Sequence, residues 1–130
     1  MLRVLAVVAM LGVAASLAPA HEGGKHKAHH GGQVVATTGD HGHHLELVAK
    51  DGELTLYVRD DEDKPDTVKG AKGSATVLAG GKQATVKLEP REPNILAGKG
   101  SFTLAKGTKV VVTLNLPDHR PITARFTPAD

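Results

Sequence analysis

The chain has 130 residues, sixteen basic and fourteen acidic, with no cysteine and only three aromatic residues, Tyr57, Phe102 and Phe126. The near-balance of charge speaks against a nucleic-acid or membrane-surface binder, which would gather Lys and Arg on one face, and so few rings offer no stacking platform for bases or sugars. The length holds one domain with a modest core.

In chain order, Arg3, the apolar run Val4 to Leu17 and the Ala18-Pro19-Ala20 site make residues 1–20 a helical secretory signal peptide. The apolar run is too short for a bilayer span of roughly 20 residues, and no cysteine follows it to carry a lipid. Cleavage after Ala20 leaves a periplasmic or secreted chain of 110 residues beginning at His21, with no membrane insertion expected afterwards. Its formal charge falls to +1, fifteen basic against fourteen acidic residues, and it loses both methionines, Met1 and Met10.

Residues 21–32, rich in His, Gly and Lys and without apolar periodicity, read as a flexible arm. From Gln33 onward, short alternating runs between turn signals predict an all-β domain over 33–130, a small antiparallel sandwich of immunoglobulin type or a partly open barrel. Strands are expected near 33–37, 43–49, 53–59, 73–78, 83–89, 94–97, 101–104, 109–116 and 121–127. Asp51-Gly52 and Gly80-Gly81 are two-residue hairpin signals. Alternation places Leu45, Leu47, Leu54, Leu56, Val58, Val77, Val86, Leu88, Val110, Val112, Leu114, Ile122 and Phe126 in the core. Val110, Val112, Leu114 and Leu116 form the longest apolar face, which suggests a central strand. The acidic run from Asp60 to Asp66 lacks the spacing of a calcium loop and reads as a solvated connection. No nucleophile elbow or phosphate-binding glycine loop is present, and the chain is not expected to be an enzyme.

Seven of the eight histidines lie between His21 and His44. Without thiolate or thioether, imidazole and carboxylate are the ligands left, a set that suits Cu(II), Zn(II), Ni(II) or Co(II). His41 and His43, at i and i+2 of an extended chain, have Cα atoms roughly 6.5 Å apart on one side and can reach one ion. His44 and Glu46 make a second such pair on the opposite face, and Asp40 lies beside them in the preceding turn. His29 and His30 form another cluster, with His21 and His26 further out in the arm. A hairpin centred near Asp40 sets Ala36 opposite His44 and leaves His30 on the order of 20 Å from the strand-end histidines if the arm runs straight. Gly31-Gly32 would permit it to fold back. His26 or His119 taken alone reads as a solvated polar residue, whereas the dense tract reads as metal-binding, with the strand-end histidines as the tighter site.

The words His30-Gly31-Gly32-Gln33-Val34-Val35, His44-Leu45-Glu46-Leu47-Val48, 52–58 and Lys64-Pro65 resemble small periplasmic proteins associated with heavy-metal efflux. They are also similar to the N-terminal module of divalent-metal RND efflux adaptor proteins. The resemblance implies a β-sandwich-like domain that handles metal, and a component of an RND efflux system as partner. It does not bring adaptor function, since the chain lacks the long helical hairpin of an adaptor.

The leading expectation is a buffer or delivery protein for a divalent transition metal. Two other readings compete with it. One is a copper oxidoreductase with a histidine brace at the new N-terminal His21, although its Gly-rich flank offers little rigidity for a brace. The other is a structural or interaction domain with a pH-sensitive histidine patch.

Overall fold

The computed structural model describes residues 27–37, 42–91 and 93–130. The predicted signal peptide and His21, His26, Asp40 and His41 lie outside the described residues.

Eight strands follow: β1 Gln33–Ala36, β2 His43–Lys50, β3 Glu53–Asp60, β4 Lys72–Ala79, β5 Lys82–Arg91, β6 Ile95–Lys99, β7 Lys109–Asn115 and β8 Ile122–Phe126. All pairings are antiparallel, in the order β1-β2-β3-β6-β5-β4-β7-β8. The sheet curls into a nearly closed barrel. Its two edge strands come together where the Thr127 N–H donates to Gln33 Oε1 at 2.7 Å. β5 joins the two halves, pairing with β4 up to Leu88 and with β6 from Glu89 to Arg91. Among the described residues no helix is long and apolar enough to cross a membrane.

Both hairpins close where the turn signals stand, with Lys50 opposite Glu53 and Ala79 opposite Lys82. The segment 101–104, expected as a ninth strand, is not one. It lies across the tip of the β2–β3 hairpin, where Phe102 O accepts from Gly52 N and Leu104 N donates to Asp51 Oδ1. A side-chain carboxylate there takes the bond that a ladder partner would supply. β7 is also not central, being second from the edge between β4 and β8. Its inner face is nonetheless buried throughout, because in a curled sheet every strand turns one face to the core.

Of the thirteen side chains expected inside, all but the partly buried Ile122 are buried. Val68 and Ala71 join them from the irregular β3–β4 connection, where no alternation could announce them. Each fully buried aliphatic side chain contributes roughly 1.5–3 kcal/mol. This layer is continuous without any ligand.

The protein stripped of metal by chelator should therefore keep its β circular dichroism spectrum and a cooperative melt, with added metal only raising Tm by linkage. A disordered spectrum after chelation would contradict a core that stands by itself.

Candidate metal centre

The β2–β3 hairpin fixes what lies beside the histidines. A turn centred on Asp51-Gly52 pairs His43 with Asp60, His44 with Arg59 and Glu46 with Tyr57. The acidic loop after Asp60 thus begins next to the histidine-bearing end of β2. It is ordered by its own bonds: Asp60 Oδ1 accepts from the N–H groups of Glu62 and Lys64, and Asp66 N donates to Val58 O. Arg59 and Pro65 form an isolated bridge. Asp63 sits at the turn with φ 64°, a left-handed conformation that aspartate tolerates better than most residues. Its carboxylate is thereby brought back over Arg59, the residue four before it.

Glu46 has no exposed surface. Residues 29–32 close over it: the N–H groups of His29, His30 and Gly32 donate to its two oxygens at 2.9, 2.8 and 2.9 Å. Arg59 Nη1 donates a fourth bond at 3.2 Å, and Arg59 Nη2 reaches the carbonyl of Lys27. Gly31, at φ 74°, makes the reversal possible. A Cβ on Gly32 would run into the carbonyl of Leu47, so the close approach needs glycine there too. Burial pushes the Glu46 carboxyl up, but the three N–H groups and Arg59 outweigh it and hold the carboxyl below its ordinary value.

The arm does not run straight, and the expected separation of about 20 Å is not what the structure shows. His29 Nε2 lies 2.7 Å from Asp63 Oδ2, and His44 Nδ1 lies 3.3 Å from Asp63 Oδ1. Both clusters therefore meet on one carboxylate. Arg59 Nε stands 2.8 Å from the same Oδ1, an ion pair whose N–H is not aligned as a hydrogen bond. The His29 hydrogen bond is the largest influence on Asp63. It outweighs the opposing desolvation and, with His44 and Arg59, holds the carboxyl down at about 2. Asp63 is thus ionised at any pH at which an imidazole can bind metal.

The other histidines divide by face. His30 stacks on Tyr57, ring centroids 3.7 Å apart and planes 10° from parallel. His43, 2% exposed, turns inward, with Nε2 3.0 Å from Asp66 Oδ2 and its ring edge-on to His119. Glu46, expected as a ligand beside His44, has both oxygens engaged in holding the arm. Among the described residues no three His or acidic side chains already surround a common point. Asp63 and Asp66 were not singled out from sequence, yet both meet histidines. The register of the Asp51-Gly52 turn was the signal that could have found them.

Six carboxylates here (Glu46, Asp60, Asp61, Glu62, Asp63 and Asp66) against Lys27, Arg59 and Lys64 leave a formal charge of −3, a field that draws cations in. Comparison with protein-family models, with curated proteins and with solved structures finds no match.

Two predictions follow from the clamp and its charges. Arg59→Met leaves the buried Glu46 charge with backbone donors only, and should cost about 3 kcal/mol, the lower end for breaking a buried pair, in a urea melt. A loss within error of zero would mean that the pair is not sustained. Because Asp63 is depressed in the folded state, its stabilisation is complete above its ordinary value of 3.8 and disappears as pH falls towards about 2. Asp63→Asn should flatten the stability curve in that window, and an unchanged slope would contradict the assignment.

Proposed function

We propose that this chain is an exported binding protein for a divalent transition metal, Cu, Zn, Ni or Co. It acts as a buffer or delivery protein beside an efflux system of the RND type and performs no catalysis of its own. The observation that carries the reading is the meeting of His29, from the arm, and His44, from β2, on the single carboxylate of Asp63. Two imidazoles and one ionised carboxylate are a donor set that borderline cations prefer to hard ones. A cation taking one lone pair from each ring would replace the two His–Asp hydrogen bonds, the single N–H of each neutral imidazole moving to its other nitrogen. An imidazolium must first give up a proton, so binding weakens as pH falls.

Preorganisation supports this reading. The His29 backbone is already held by Glu46, so less chain entropy is lost on binding than from a free arm. His29 and Asp63 are 41% and 36% exposed, which leaves the cation open to exchange with a partner, as delivery requires. His30-Gly31-Gly32 and Leu45-Glu46-Leu47, the words that resemble heavy-metal efflux proteins, have a physical role in this reading. They are the segments that build the Glu46 clamp.

Calorimetric titration of the mature chain with Cu(II), Ni(II) and Zn(II) tests the proposal. Binding is expected at neutral pH and should weaken as pH falls through the ordinary imidazole range near 6.5. His29→Ala, His44→Ala and Asp63→Asn should each lower affinity about tenfold or more, the loss of one donor being worth at least about 1.4 kcal/mol. Absence of binding for all three metals would sink the reading. Binding that ignores these substitutions would remove the cation from this centre.

A further inference from the structure

The near-neutral total of the chain conceals a segregation of charge. β4, β7 and β8 carry no acidic residue, and β5 carries one, Glu89. The inward positions of these strands are the buried Ala75, Val77, Val86, Val110, Val112 and Ala124. Period two therefore turns Lys72, Lys87, Lys109 and Arg125 outward on one surface, and all four are exposed. Glu89 lies 3.7 Å from Lys87, and four cations against one carboxylate leave this surface a formal charge of +3. At its rim by the β4–β5 turn stand Lys82 and Lys106, against Asp130, whose side chain accepts from Gly107 N.

Between the cations the register sets Ser74 opposite Lys87 and Thr113, Thr76 opposite Thr85 and Val111, and Val111 opposite Arg125. Hydroxyls beside ammonium and guanidinium groups can donate together to phosphate oxygens. Leu78, opposite Gln83 and Lys109, is the one large apolar side chain exposed among the described residues, at 42%. Four strands abreast span about 14 Å at ~4.8 Å each, wider than the ~12 Å major groove of a nucleic-acid duplex. A broad plane of cations and hydroxyls with one protruding aliphatic chain is complementary to a flat anionic layer with an apolar interior. In the order of strands, β4 and β7 stand four places from β2 and β3. The histidines of β2 and the acidic loop after β3 are thus carried by the far side of the barrel.

We propose that the outer face of β5, β4, β7 and β8 docks this protein on an anionic lipid bilayer. Lys87, Lys109 and Arg125 meet the phosphate headgroups, and Leu78 enters the headgroup layer. The contact is peripheral and reversible, with no segment crossing the bilayer. It is independent of the metal reading, which rests on other strands.

The test is flotation of the mature chain with vesicles of equal parts phosphatidylglycerol and phosphatidylcholine, and with vesicles of phosphatidylcholine alone. It is run with a chelator at about pH 8, where ordinary imidazoles are neutral, so that neither charged histidines nor a bridging cation supplies the attraction. The native chain should bind the anionic vesicles, bind phosphatidylcholine far less, and be released by ~0.5 M salt. Lys109→Gln/Arg125→Gln should lower partitioning about thirtyfold, at about fivefold for each cation near an anionic surface. Lys50→Gln/Lys99→Gln removes the same charge from β2 and β6 and should lower it by less than about threefold. Leu78→Ser should lower it about fivefold. All these positions are exposed, so each variant should melt as the native chain does. Absence of binding to the anionic vesicles would overturn the inference. Equal losses in the two double variants would overturn it too, since net charge and not this face would then be acting. Unaltered binding by Leu78→Ser, or tighter binding to duplex DNA than to the vesicles through Lys109 and Arg125, would give the face to another polyanion and contradict the bilayer as its partner.

Discussion

The carboxylate of Glu46 is the constraint on which the rest of this end of the molecule depends. A carboxylate with no exposed surface costs several kcal/mol unless donors replace its water, and β2 by itself has none to offer. The donors come from outside the strand: three N–H groups of residues 29–32 and the guanidinium of Arg59. Satisfying Glu46 pulls the arm across the sheet and sets His29 over the acidic loop. Arg59, once fixed by Glu46, is also in place to pair with Asp63. A single buried charge thus holds His29 and His30 over the acidic loop and fixes the guanidinium that pairs with Asp63.

Much of the scaffold was legible because alternation and turn chemistry act locally. Asp51-Gly52 and Gly80-Gly81 set their hairpin registers, and a turn near Asp40 put Ala36 opposite His44, as observed. The inward side chains of β2, β3, β4, β5 and β7 followed from period two. The segment 101–104 alternates as a strand does, but the hairpin tip and Asp51 took its backbone bonds. Val68 was invisible because it lies in a connection without periodicity.

The site was legible in its residue types more than in its geometry. Glu46 was rightly placed on the face away from Leu45 and Leu47, but alternation cannot say whether that face meets water. Here the arm covers it, and the carboxylate became an anchor. The two histidine clusters looked separate because a straight arm was the simplest path. What bends it is a long-range interaction between residues 29–32 and 46, with Gly31 and Gly32 only permitting the turn. Asp63 and Asp66 emerge only when the β2–β3 register is carried past Asp60 into the loop.

The arrangement gives neighbouring residues of one strand different surroundings. His44 faces the half-buried Asp63 beside His29, while His43 is buried against Asp66 and His119. The measurement that bears most directly on the central claim is the fluorescence of Tyr57, the chain's only tyrosine, with no tryptophan to mask it. Tyr57 pairs with Glu46 and lies under the ring of His30, and so reports on the clamped arm. Substoichiometric Cu(II) should quench it in the native chain, and the quenching should be lost in Asp63→Asn and His29→Ala. Equal quenching in all three proteins would show that the cation does not bind where the arm and β2 meet.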